Sequence, residues 1–442
     1  MLALLKEIVD KTLKMGADEV EIYAGIEKTM DALIQKNDID TVKSDRKSGA
    51  GIRVFKSKAL GFAYTNNLSR EALLTAAEDA VRIARASQPD EFNELPEPEE
   101  VKEVKDLYDK QVDKLKVEDV VNYSLDMLDI ARKYDERISV DRAGVHVSCW
   151  ERYIVNSKGI NLHEKGTAIY GSILGMAREG EKVSSMDYEW LGSTQLKDFN
   201  YRDVVREFAA SVIGALGAKK GESFKGEMLI TPFAGLELIC LPIVNAINAE
   251  NVHKGISKFR DKLDKRVASD FLTIIDDGTI PGALGSGAFD REGVPHRPLT
   301  IIENGILRSF IYNTYSAKRE GKKSTGHASG GARSVPSIDI TNFIIKEGDV
   351  KKDDLIKEMK KGVIVKRFSG NVNPVTGEFS GVVKCGYLVK DGEVVQPLIG
   401  TMIQGNVFDM LMNITGISKE KKTIFNYSLP YIRVKGISVT SG

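Results

Sequence analysis

The sequence predicts an α+β protein built mainly from antiparallel sheets with helices, and three observations predict it. A helix–strands–helix order occurs twice in the first half. Apolar residues alternate with polar ones over many runs joined by short turns, the mark of antiparallel sheet. Two hairpin signals, Asn304-Gly305 and Asp391-Gly392, stand between β-rich runs in the second half, and such dipeptides favour the turn type that matches strand twist. With 442 residues, of which 42% are hydrophobic, the chain is long enough for two or three domains. The expected division is an N-terminal α+β domain over 1–220 with an internal repeat, and a sheet-rich domain over 221–442.

Apolar residues Leu2, Leu5, Ile8, Val9 and Leu13 lie at helical spacing, and Gly16 ends that helix. Strands are expected at Glu19–Ile26, Thr29–Gln35 and Gly51–Phe55, the last pairing with Ala59–Tyr64 across Lys56-Ser57-Lys58. Ser69 caps a second helix with the stripe Leu73, Ala76, Ala77, Ala80, Val81 and Ala84. Residues 88–100 hold three prolines and many acids, so they read as a linker or extended surface connector. The order then recurs: a helix over 117–133, strands near 138–148, 152–156 and 167–178, and a helix over 202–216. Beyond Gly226, Met228–Thr231 reads as a strand and Pro232–Asn248 as a buried helix with proline in its first turn. Asn251–Lys265 is polar and basic without pattern, and is expected to be a mobile loop.

Lys plus Arg and Asp plus Glu are 63 each. A balanced charge lacks the basic excess that phosphate contact requires, which argues against direct nucleic-acid binding. No apolar run reaches the ~20 residues of a membrane span. The first residues lack the basic leader of a secretory signal. Cys149, Cys240 and Cys385 are odd in number and widely separated, so a disulfide framework or cysteine-rich zinc site is not expected. A cytoplasmic location follows as the expectation.

Five histidines occur, none paired at the spacing of a helical zinc motif. His146 reads as a packed or edge strand residue, His163-Glu164 as solvated surface, and His253 as part of the basic loop. His296 lies near the glycine-rich run Gly278–Gly293, and His327 sits in the flexible run Gly326-His327-Ala328-Ser329-Gly330-Gly331. That glycine-rich run lacks the ending of a phosphate loop and no nucleophile elbow occurs. Asp276 and Asp277 would point to opposite faces of a strand, with Asp277-Gly278 as turn chemistry.

The run Phe271 to Pro295, the hairpin Ile301 to Leu307 leading to Phe310-Ile311-Tyr312-Asn313-Thr314-Tyr315, and the blocks Asn373–Ser380, Gly386–Glu393 and Gly405–Phe408 resemble the TldD/PmbA family, named for modulation of DNA gyrase. The resemblance implies two subunit types in a metal-dependent peptidase that trims peptides and unfolded segments. The catalytic TldD type carries HExxxH on the helix after the strand matching Met228–Thr231, with a further cysteine ligand near the C-terminus. The TldE or PmbA type lacks them. Here the helix reads Leu236-Glu237-Leu238-Ile239-Cys240-Leu241, and Thr415–Gly442 holds no cysteine.

The resemblance therefore implies a subunit with no catalytic or metal-ligating residue of its own and no cofactor. Zinc is expected on a TldD-type partner. The partner would be that catalytic subunit, or a second copy in a homodimer, and the substrate a peptide bound through backbone edges near Ile301–Phe310 and Tyr387–Val395. Candidate peptide contacts are Arg291, His296, His327, Asn373 and Ser380. Two other readings stay open: a stand-alone peptidase using His296, Arg291 and Asp290, or a non-cleaving peptide-binding adaptor.

Overall fold

The computed structural model describes residues 1–441. Its first half is one sheet with helices on one face. Helix α1 (Leu2–Lys14) precedes strands β1 (Glu19–Gln35), β2 (Asp38–Lys56) and β3 (Ala59–Thr65), and helix α2 (Arg70–Ala86) follows. The Ser69 hydroxyl accepts the Ala72 N–H at 3.3 Å, capping α2. Its buried residues are the predicted stripe from Leu73 to Ala84.

The second unit repeats the order: helix Val117–Tyr134, strands β4 (Ile138–Asn156) and β5 (Asn161–Glu179), strand Asp187–Ser193 and helix Tyr201–Gly214. The two units fuse because β1 pairs antiparallel with β4 over 15 residue pairs, giving the order β3-β2-β1-β4-β5. The strands are longer than their sequence suggests. Glu19–Ile26 and Thr29–Gln35 form one 17-residue strand, and the predicted strands at 138–148 and 152–156 form one of 19. Exposed polar residues at mid-strand broke the apolar alternation without breaking the ladder.

The connector at 88–100 contains no helix or strand, as expected, but it is not loose. Leu95 is buried and its N–H donates to Glu19 Oε2 at 2.7 Å. Asp90 accepts the Tyr315 hydroxyl at 2.7 Å, and Glu94 pairs with Lys318 at 2.8 Å. The segment thus straps the N-terminal sheet to the C-terminal half.

In that half the C-terminal strand Tyr427–Ser441 is the organiser. It pairs antiparallel with Phe224–Ile230, Thr401–Asn406 and Ile414–Ile424, and parallel with Phe343–Ile345. Asn304 and Gly305 have φ of 47° and 79°, and Asp391 and Gly392 of 49° and 80°, so both predicted hairpins turn through left-handed backbone. The stretch 251–265 is not the expected loose loop. Helix Ala249–His253 enters it, and Phe259 is 1% exposed within the main core. One large aromatic anchor outweighs the polar composition around it. Among the described residues no helix is long and apolar enough to cross a membrane.

Candidate functional site

The helix after strand Phe224–Ile230 begins at Pro232, with the Thr231 hydroxyl accepting the Ala234 N–H. It runs as a π-turn over Leu236–Cys240 and resumes as an α-helix over Leu241–Ile247. Pro242 has no N–H to return to the Leu238 carbonyl, and the widened turn sits directly before it. Leu238, Ile239, Ile243 and Ala246 bury one face in the core, while Leu241 is 55% exposed.

Glu237 leaves the opposite side and meets three donors. The Tyr188 hydroxyl donates at 2.5 Å, Arg367 donates through Nε at 3.0 Å and Nη2 at 2.5 Å, and the Phe368 N–H donates at 2.6 Å. Arg367 also reaches Asp187 Oδ1 at 3.4 Å, with its guanidinium 3.0 Å from the Tyr188 ring centre. Asp187 in turn accepts from Lys366 Nζ at 2.8 Å. Burial pushes the Glu237 carboxyl up to about 8, and burial draws Arg367 down to about 10. A cavity of about 710 Å³ opens beside this network, flanked by Thr231, Phe233, Lys366 and Lys422.

A zinc ion needs about three protein donors in tetrahedral array. The helix offers leucine at 236 and 241, and the one carboxylate is consumed by a guanidinium, a phenol and a backbone N–H. Cys240 is buried in the core with its thiol raised by desolvation. The residues at these positions therefore do not fit a metal ion.

The five candidate contact residues do not converge on one site. Arg291 is 2% exposed, donates to Glu21 Oε1 at 2.9 Å and lies 4.0 Å from the Tyr23 ring centre. It belongs to a buried charge network between the two halves. His327 is 2% exposed, with Nε2 3.0 Å from Asp276 Oδ1 and Nδ1 2.8 Å from Thr325 Oγ1. His296 donates from Nδ1 to the Gly326 carbonyl at 2.7 Å and packs on Gly278. Asn373 is exposed, and its side chain accepts the Val375 and Thr376 N–H groups in a turn. Ser380 is exposed in mid-strand, opposite Asn371 and Gln404. The alternative trio of His296, Arg291 and Asp290 is equally engaged: Asp290 accepts the Glu292, Val294 and Ala328 N–H groups.

Two further readings change in detail. His163 stacks on Tyr153, with ring centres 4.4 Å apart, but Glu164 is not solvated surface. It points to the opposite face, pairs with Arg152 at 2.5 Å and accepts the Ala288 N–H at 2.7 Å. His146 sits half-exposed with Nδ1 2.6 Å from Asp31 Oδ1. The partners of Glu237 went unread from sequence because Asp187, Glu237 and Arg367 lie far apart in the chain.

Burial, then the neighbouring Arg152 cation, holds His296 down at about 3. The unfolded chain takes up a proton near the ordinary 6.5 while the folded chain refuses it. Stability from this residue is complete above about pH 6.5 and is lost as pH falls toward 3, by at most ~1.4 kcal/mol per pH unit. Urea midpoints measured from pH 7 to 4 are expected to fall less steeply for His296→Gln than for the wild type.

Signatures of the PmbA/TldA metallopeptidase match in three parts: domain 1 at residues 20–84, the central domain at 110–216 and the C-terminal domain at 223–441. The chain belongs to the PmbA/TldD metallopeptidase family. An uncharacterized protein of Methanocaldococcus jannaschii is 30% identical, covering 91% of this chain and 92% of that protein. A metalloprotease PmbA homolog of Haemophilus influenzae is 27% identical over 93% and 90%. The crystal structure of TldE from Thermococcus kodakarensis superposes with a TM-score of 0.91 at 26% identity, covering 99% of this chain and 100% of that one. A TldD homolog of Buchnera aphidicola also matches, at 27% identity over 85% of this chain and 80% of that protein. Sequence matches thus reach relatives of both names, TldD and PmbA, and the residues on the helix 232–247 bear on the difference.

Proposed function

We propose that this chain is the non-catalytic, TldE/PmbA-type subunit of a TldD/TldE-like metalloprotease assembly that processes peptides and unfolded segments. In this reading the catalytic zinc sits on a TldD-type partner, and the chain shapes and walls the chamber in the cytoplasm. One observation carries it: at the helix positions where the catalytic type places HExxxH, this chain has Leu236 and Leu241, and its Glu237 is locked by Arg367, Tyr188 and the Phe368 N–H. The likeness to Thermococcus TldE over the whole chain supports the same assignment.

The purified chain, assayed on unfolded polypeptide with and without zinc, is expected to show no metal-dependent cleavage. Its melting temperature is expected not to move with a chelator. Co-expression with a TldD-type chain is expected to give a larger complex with chelator-sensitive cleavage. Zinc-dependent turnover by the isolated chain would overturn the proposal.

A further inference from the structure

The face of the N-terminal sheet opposite its helices carries both tryptophans of the chain, Trp150 and Trp190. Register places Asp31, His146 and Tyr170 in one row across β1, β4 and β5, and Gly144, Ser172 and Trp190 in the next. Phe425, at the turn between the last two strands, reaches over from the C-terminal half. Its ring centre lies 5.3 Å from that of Trp190 and 6.0 Å from that of Tyr170. With His146 5.8 Å from Tyr170, four rings line a pocket of about 490 Å³ whose floor at Gly144 has no side chain.

One charged group in this pocket is only half used. Asp31 engages His146 through Oδ1, and no described side chain or backbone donor meets its Oδ2. Lys43 stands directly opposite Asp31 across β1 and β2, yet its ammonium leans to Asp45 at 3.5 Å on the exposed rim. Aromatic faces attract cations, and a carboxylate with a free oxygen adds a charged acceptor. A planar guanidinium suits both, because it stacks on rings while its N–H fork meets a carboxylate.

The pocket is also one end of a trough. It shares His146 and Tyr170 with a hollow of about 210 Å³, which shares Glu27 and Trp150 with a third of about 430 Å³ reaching Tyr23 and Tyr64. Eight residue steps of β1, from Tyr23 to Asp31, span ~26 Å at the rise of a strand. A trough of that length fits an extended chain better than a compact small molecule.

We infer that the Asp31–Tyr170–Trp190–Phe425 pocket binds an arginine side chain of an extended peptide lying along this trough. The inference rests on the peptide-processing reading above and adds a preference within it.

Trp150→Phe leaves Trp190 as the sole tryptophan, so its fluorescence reports on the pocket directly. The full chain carrying that change would be titrated with a blocked glycine pentapeptide holding a central arginine, with its central-glutamine and central-glutamate analogues, and with blocked arginine alone. Saturable change with the arginine peptide is expected, at least tenfold tighter than with glutamine. Asp31→Asn and Phe425→Ala are each expected to weaken it about fivefold. Equal binding of the arginine and glutamine peptides would overturn the arginine pocket and leave the peptide reading standing. Blocked arginine binding as tightly as the peptide would uphold the pocket and count against the peptide reading. No change in Trp190 emission with any probe would overturn the inference.

Discussion

Arg53→Leu is expected to lower the unfolding free energy by about 3–5 kcal/mol, read from urea or guanidinium denaturation. Arg53 is 5% exposed and bridges two carboxylates, Glu21 Oε2 at 2.6 Å and Glu292 Oε1 at 2.9 Å. Glu21 is fully buried and also receives Arg291 at 2.9 Å, while Glu292 Oε2 accepts the Thr314 N–H at 2.8 Å. Burial opposes the Arg53 charge, yet the Glu21 and Glu292 carboxylates hold its pKa above the ordinary value. Two positive and two negative groups thus neutralise one another, joining β1 and β2 to the glycine-rich connector of the C-terminal half. Removing Arg53 leaves two buried carboxylates facing one guanidinium. Removing Glu292 as well restores one cation to one anion, so Arg53→Leu/Glu292→Leu should cost less than the sum of its single changes. Strict additivity would mean that the four groups do not act as one network.

That network shows where sequence reasoning stopped. Local chemistry was legible: the Asn304-Gly305 and Asp391-Gly392 turns, the Ser69 cap and the apolar stripe of α2 each depend on residues a few positions apart. So was the helix that carries Glu237, through its proline start. Strand continuity was not legible, because charged positions such as Glu27 and Lys28 interrupt alternation where a second strand and not a core supports the ladder. Phe259 was hidden by the basic residues around it. Arg291 and His327 read as candidate peptide contacts from sequence, and each lies in a glycine-rich run. In the structure Arg291 Nη1 donates to Glu21, 270 residues away, and His327 Nε2 meets Asp276, 51 residues away. Charge pairing over such separations leaves no periodic trace, so burial of these groups could not be anticipated from spacing.

The same distinction between a residue present and a residue free to act sets the expectation for Glu237. A general base needs a carboxylate within reach of the proton it removes, and losing one costs roughly 10²–10⁴ in rate. Glu237 instead spends both oxygens on Tyr188, Arg367 and the Phe368 N–H. In a complex reconstituted with a TldD-type partner, Glu237→Gln is therefore expected to change peptide cleavage by less than about threefold, far short of the loss a catalytic carboxylate would show. The structural cost should appear in stability. Glu237→Gln keeps an acceptor and should cost about 1–2 kcal/mol, whereas Arg367→Leu should cost about 3–5 kcal/mol by leaving the buried Glu237 carboxyl without its guanidinium, while Asp187 keeps Lys366. Adding Glu237→Leu to Arg367→Leu should recover part of that loss, since the second change removes a carboxylate the first left unpaired. A drop in cleavage of a hundredfold for Glu237→Gln, with stability unchanged, would instead place this carboxylate in the chemistry.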